Sequence, residues 1–244
     1  MLMNQTILVI GSGCRESIII KKLVEDSKKI NVNLRIICYA NCNNPYLLEH
    51  TDIYVIKGYD ERDLLKIINN NYIDFCIIGP EAPLEKGFSD ILENSNIPCF
   101  GPLSAYAQIE TSKSYARKFI ESCDLNIHSP KHIFLNKNNI SDEVLTERIK
   151  EFNNKIVIKK DGLCGGKGVF VEDIDFTKNE RNIIIKKELQ TNNLLIEEKL
   201  EGREFSLMTL TDGIGNCGHF PPVCDYKRLE NSNQGPNTGS MGCF

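Results

Sequence analysis

The feature that most restricts the fold is a rhythm in the first hundred residues, where short apolar runs alternate with helical patterns. Runs 6–10, 34–40, 52–56, 73–78 and 97–100 have the length and composition of strands, and three end in Gly11, Gly79-Pro80 and Gly101-Pro102. Between them, 16–29, 61–70 and 83–94 read as helices. Strands interleaved with helices specify an α/β domain with a parallel, doubly wound sheet. Its ligands lie at the C-terminal strand ends, where the glycine turns fall.

After Pro102 the rhythm changes. A single long helix is expected over 104–123, with Ser104 as its N-cap, then a strand near 132–135, a helix over 142–152 and a strand over 155–160. A glycine-rich stretch, 161–168, leads into strand 169–172, followed by helix 178–189, strands 194–200 and 204–212, and a loop-like run over 221–244. This divides the chain into domains 1–102 and 103–244.

The composition narrows the function. Lys and Arg number 29 against 33 Asp and Glu, a net charge of −4, which gives no basic footprint for nucleic acid. No apolar run approaches the ~18 residues of a membrane span. Residues 1–6 lead into the first strand with no charged leader or cleavage site. Ten cysteines without a CxxC pair fit reduced, buried thiols in a cytoplasmic protein that makes no membrane contact.

Three motifs carry chemistry. Gly11-Ser-Gly13-Cys-Arg15-Glu16 joins a strand to a helix, so free N–H groups and the helix dipole face any bound anion. A dinucleotide fingerprint needs a small residue where Glu16 stands and an acid after the second strand, where Asn41 stands. Arg15 suits a phosphomonoester instead, and a tight turn without ligand is the alternative. The second motif is Asp161-Gly-Leu-Cys-Gly-Gly-Lys-Gly168. It is one residue short of a P-loop and lies between two strands, which fits a hairpin closing over a triphosphate with Lys159 and Lys167 as cations; a solvated glycine hairpin is the alternative. In the third, Glu197 ends a strand, where a carboxylate can accept the adenine amino group. Glu204, seven residues on, is placed for ribose hydroxyls.

These segments, with Gly79-Pro-Glu-Ala-Pro-Leu84, Ala107-Gln-Ile-Glu-Thr-Ser-Lys113, Asp225-Tyr-Lys-Arg228 and Gly235-Pro-Asn-Thr-Gly-Ser-Met-Gly242, make the whole chain resemble the glycinamide ribonucleotide synthetase (phosphoribosylamine–glycine ligase) family of ATP-grasp enzymes. The chain is similar to the family's N-terminal portion. The resemblance implies a Rossmann-like preATP-grasp domain, then an incomplete α+β ATP-grasp domain with a small lid over about 124–192. It implies that ATP activates glycine as an acyl phosphate, which the amine of 5-phosphoribosylamine attacks in purine synthesis.

Carried over by motif, ATP would meet Lys113, Lys159, Gly162, Gly165, Gly166, Lys167, Gly168, Glu197, Leu200 and Glu204. Phosphoribosylamine would meet Gly13, Arg15 and Glu81. Asp225, Lys227, Arg228, Asn237 and Thr238 would face glycine or the acyl phosphate, with Lys159 and Arg228 as the catalytic cations. The family's magnesium ligands are expected beyond residue 244, with none in this chain, so the isolated chain is expected to lack turnover. Fusion to other purine-pathway domains is a further expectation. Cys14 and Ser17 stand where the family usually has Gly and His, and Tyr226 where it has His. Two other readings stay open: a non-catalytic nucleotide- or phosphosugar-binding remnant, and a different ATP-grasp carboxylate–amine ligase.

Overall fold

The structure is a computed structural model that describes residues 3–123, 127–137, 142–150, 152, 155–165 and 168–244. It divides into two compact units, Met1–Thr111 and Ser112–Phe244. The division falls later than Pro102 because the first helix after that proline packs with the first unit.

In the first unit, β1 (Met3–Ile10) is followed by α1 (Cys14–Lys29), β2 (Val32–Ala40), α2 (Pro45–His50), β3 (Ile53–Ile56), α3 (Glu61–Asn70) and β4 (Phe75–Ile78). Then come α4 (Glu81–Glu85), α5 (Phe88–Asn94), β5 (Cys99–Phe100) and α6 (Ser104–Thr111). All strand pairs are parallel, in the order β3-β2-β1-β4-β5. Alternate residues of β1 explain the two layers of core. Leu8 and Ile10 pack with Ile37, Phe88 and Leu92, while Ile7 and Val9 pack with Ile20, Ile36 and Leu47 on the other face. Winding reverses between β1 and β4, so the turns after Ile10 and Ile78 flank the switch point where such folds bind ligands.

The sequence pattern missed α2, a single turn and a half capped by Asn44, whose Oδ1 accepts from the Tyr46 and Leu47 amides. The helix expected over 83–94 is two helices, α4 and α5, because Gly87 adopts φ 73°, a left-handed conformation that stops one helix before the next begins.

The second unit opens with α7 (Lys113–Ser122), then β6 (His132–Leu135), α8 (Asp142–Ile149), β7 (Ile156–Lys160), β8 (Val169–Val171), α9 (Arg181–Leu189) and β9 (Leu194–Glu198). The long helix expected over 104–123 is therefore broken. Ser112 is extended, and its Oγ accepts from the Tyr115 amide as the N-cap of α7. Ser104 begins α6 and donates from N and Oγ to Asp90 at 2.9 and 3.1 Å, so it is held by a carboxylate.

Strands β6-β9-β7-β8 form an antiparallel sheet with two unlike faces. Ile133, Ile156, Ile158, Leu194 and Ile196 enter a core with Leu145, Ile149, Phe176 and Ile185. The period of two places Lys159 and Glu197 on the opposite face. Beside the sheet, Arg181 donates from Nε and Nη2 to the buried Glu172 carboxylate at 2.9 and 2.5 Å, and the Ile156 amide donates to the same carboxylate.

The chain ends in two small hairpins, β10 (Thr209–Thr211) with β11 (Cys217–His219), and β12 (Arg228–Glu230) with β13 (Gln234–Asn237). The strand expected over 204–212 shrinks to Thr209–Thr211, and every residue of 201–222 is exposed, including Phe205, Leu207, Met208, Leu210 and Phe220. The ten cysteines are free thiols, but only Cys38 and Cys76 are buried. Burial, with a contribution from Glu16, pushes the Cys38 thiol up to about 12, which disfavours the nucleophilic thiolate. Among the described residues no helix is long and apolar enough to cross a membrane.

Candidate functional site

The two switch-point turns are joined by the residue that spoils the dinucleotide fingerprint. Glu16 is 3% exposed, and its Oε2 accepts from the Gly13 amide at 2.6 Å. Its carboxylate occupies the space beside Gly11 and Gly79, where an added Cβ would overlap it. Arg15, by contrast, is exposed. Its Nη1 donates to the Gly79 carbonyl and lies 3.5 Å from Glu81 Oε1, with the side chain 60% exposed. Arg15 and Glu81 thus meet across the two turns, just beyond Gly13 and Gly79. Ser12 and Asn44 brace the first turn. Ser12 Oγ donates to Asn41 at 2.6 Å, and Asn44 Nδ2 donates to the Ser12 carbonyl at 2.9 Å and to Ser17 Oγ at 3.0 Å.

In the second unit the N-terminus of α7 is tied to the glycine-rich hairpin between β7 and β8. Asp161 accepts from Ser114 Oγ at 2.6 Å, from the Ser114 amide at 3.2 Å and from the Gly162 amide at 3.1 Å. Burial raises the pKa of Asp161, but these donors outweigh it and hold the carboxyl below its usual value. Lys113 Nζ donates to the Gly162 carbonyl at 2.7 Å. Gly162 and Gly165 have φ of 90° and 55°, and Gly168 is buried where a Cβ would come within 2.7 Å of Cys164 Cβ. Gly166 and Lys167 lie outside the described residues.

On the face of the sheet opposite its hydrophobic core, Lys159 Nζ meets Glu197 Oε2 while Arg117 Nε donates to Glu197 Oε1 at 2.5 Å. Arg117 Nη1 also donates to Ser129 Oγ at 3.1 Å. Glu197 is 2% exposed. Burial alone would raise its pKa, but hydrogen bonds from Arg117 and Lys159 prevail and keep it lowered, so it is an ionised acceptor at neutral pH. Arg117 was not foreseen from sequence. Its signal is the i, i+4 spacing from Lys113, which puts both cations on one face of α7. Leu200 follows β9 and is exposed.

The remaining assigned residues gather around a cleft of about 720 Å³ lined by Arg203, Glu204, Asp225, Tyr226, Arg228 and Met241. Lys227 Nζ donates to Glu204 at 2.7 Å and lies 3.9 Å from Asp225. Thr238 donates from Oγ1 to the Lys227 carbonyl, and Asn237 pairs with Arg228 across β12 and β13. The Arg228 guanidinium is buried. It donates through Nη1 to Asp175 and to the Gly235 carbonyl, both at 2.8 Å, and through Nη2 to Asp175 at 3.3 Å. Among the described residues no three His, Cys, Asp or Glu side chains converge to hold a metal ion.

A doubly wound parallel unit, followed in sequence by an antiparallel sheet with a lysine-flanked glycine hairpin, defines the ATP-grasp class of ligases. The chain belongs to the phosphoribosylglycinamide synthetase family: residues 5–110 match the family's N domain and residues 111–244 its ATP-grasp (A) domain. The phosphoribosylamine–glycine ligase of Pyrococcus horikoshii is 34% identical over 98% of this chain and 52% of its own length. A bifunctional purine biosynthetic protein of Dictyostelium discoideum is 32% identical over the whole chain and 29% of its own length. The crystal structure of phosphoribosylamine–glycine ligase from Thermotoga maritima superposes with a TM-score of 0.71, at 28% identity, over 98% of this chain and 55% of that one. Staphylococcus aureus N5-carboxyaminoimidazole synthetase, solved with ADP, shares the fold at a TM-score of 0.68 and 14% identity, over 97% of this chain and 57% of that one. The chain spans about half the length of the single-function curated ligases it matches.

Proposed function

We propose that this chain is the ATP- and aminosugar-binding portion of a cytoplasmic phosphoribosylamine–glycine ligase. The whole enzyme joins glycine to 5-phosphoribosylamine, giving glycinamide ribonucleotide, ADP and phosphate through glycyl phosphate. The observation that carries the reading is the Lys159–Glu197–Arg117 cluster on the same sheet as the glycine hairpin that Lys113 anchors. Cations on the sheet beside a glycine-rich loop suit a triphosphate, whose charge they neutralise while the loop excludes water from a hydrolysable acyl phosphate.

In this reading Lys113, Lys159 and loop 162–168 hold the phosphates, Glu197 and Leu200 meet adenine, and Glu204 meets the ribose. Gly13, Arg15 and Glu81 hold phosphoribosylamine, Arg15 as the phosphate clamp. Asp225, Lys227, Asn237 and Thr238 face the glycine side, with Arg228 as the cation beneath them. Magnesium supplies charge neutralisation between the phosphates in such chemistry. Among the described residues no cluster of three acids, histidines or cysteines would hold it. Fusion partners of this portion are other purine-pathway domains.

Calorimetric titration of the chain with ATP and GTP tests the reading. Glu197 accepts from an amino group where guanine presents a carbonyl, so ATP is expected to bind at least about tenfold more tightly. Equal affinities would remove Glu197 from the adenine site, and binding of neither nucleotide would overturn the ATP reading.

A further inference from the structure

The geometry around Glu197 points to a role for a residue outside the motifs: we propose that Arg117 is a positioning residue for adenine recognition, holding Glu197 ionised and oriented when Lys159 turns to a phosphate. The inference rests on the nucleotide-binding reading above. A carboxylate offers about four lone-pair sites. Here one site on each oxygen is taken by a cation, which leaves room for an adenine amino group. The two cations differ in what holds them. Arg117 is fixed at a second point by Ser129 Oγ, whereas Lys159 is a flexible ammonium on the strand that leads into the glycine hairpin.

A bound triphosphate competes with Glu197 for Lys159. Once that ammonium leaves, Arg117 is the cation still paired with a carboxylate that is 2% exposed. Without Arg117 the buried carboxyl would take up a proton. A protonated carboxyl donates to the guanine carbonyl as readily as it accepts from the adenine amine, so the choice between bases would be lost. The charged groups that face Glu197 come from three elements: Arg117 on α7, Lys159 on β7, and His132 on β6, its cross-strand neighbour. His132 lies 3.4 Å from Glu121 of α7. His132 and Glu121 are unaltered in every variant below.

The test measures ATP and GTP affinity of the full 244-residue chain, Arg117→Met and Arg117→Lys between about pH 5 and pH 8. The unaltered chain is expected to keep a steady preference for ATP. Arg117→Met is expected to lose about tenfold or more of that preference as pH falls, mostly through weaker ATP binding, and Arg117→Lys to restore it. Thermal unfolding without nucleotide reports structural damage separately. Should Arg117→Met not fold, Ser129→Ala, which frees one end of the guanidinium, is expected to show a smaller loss in the same direction. An ATP-to-GTP ratio that stays at the unaltered value in the folded variant at every pH would overturn the inference alone. Binding of neither nucleotide by the unaltered chain would overturn the function reading beneath it.

Discussion

Glu16 and Arg15 are neighbours with opposite duties, and their substitutions separate stability from binding. At Gly79 an added methyl meets the Glu16 carboxylate, which is itself fixed by the Gly13 amide. Gly79→Ala is therefore expected to destabilise the first unit by ~1–3 kcal/mol in a urea titration. Arg15 is largely exposed, so Arg15→Ala should change stability by no more than about 0.5 kcal/mol. In the full-length enzyme it should raise KM for phosphoribosylamine and leave ATP affinity unaltered; unfolding without a selective kinetic effect would make Arg15 a structural turn residue. The carboxyls of Glu197, Asp161 and Asp175 all titrate below their usual values, despite burial, because hydrogen-bond donors and cations favour the ionised form. Their contribution is complete above the unfolded carboxyl range near pH ~4 and is lost as pH falls through the lowered folded values. Stability of the second unit should thus fall on acidification from about pH 5 downward, as an acid titration followed by circular dichroism would report.

At the scale of elements, the sheet of the second unit is tied to α9 by Glu172 and Arg181. Removing only the cation leaves a carboxylate 2% exposed and still bonded to the Ile156 amide. Arg181→Met is expected to cost ~3–5 kcal/mol, and the paired replacement of both residues by apolar ones much less. A denaturant titration of the single and double variants distinguishes this from simple loss of packing. The β10–β11 hairpin differs, since all of its residues are exposed and neither face of it is covered by the described residues. A two-stranded hairpin without a packed face is marginal in water. Its amides should exchange with deuterium far faster than those of β1 or β9, and slow exchange there would show packing that the exposure of Leu207 and Leu210 denies.

For the molecule as a whole, two separate cores mean two separable folding problems. The first unit covers both faces of its sheet with its own helices, drawing Leu8 and Ile10 to one side and Ile7 and Val9 to the other. Residues 1–111 expressed alone are therefore expected to unfold in one cooperative transition, with matching midpoints by circular dichroism and fluorescence. Non-coincident midpoints would mean that the unit needs the rest of the chain.

Much of this was determined by sequence alone, because it is local. Apolar runs of strand length ending in Gly11, Gly79 and Gly101 dictate a doubly wound sheet and the edge where its ligands bind. The order of Lys113, Lys159, the glycine hairpin and Glu197 is likewise legible along the chain, and it is the pattern on which the proposed nucleotide cradle rests. Other features were decided only in three dimensions. The breaks at Ser112 and Gly87 depend on one capping hydroxyl and one left-handed glycine, which helical periodicity does not register. Arg117 meets Glu197 across 80 residues, and Arg228 meets Asp175 across 53; the i, i+4 step from Lys113 marks Arg117 as a second cation on its helix face, but nothing along the chain names either partner. An ion pair between distant residues exists only once packing has brought the elements together. Burial then gives it its strength, by removing the water that would otherwise screen it.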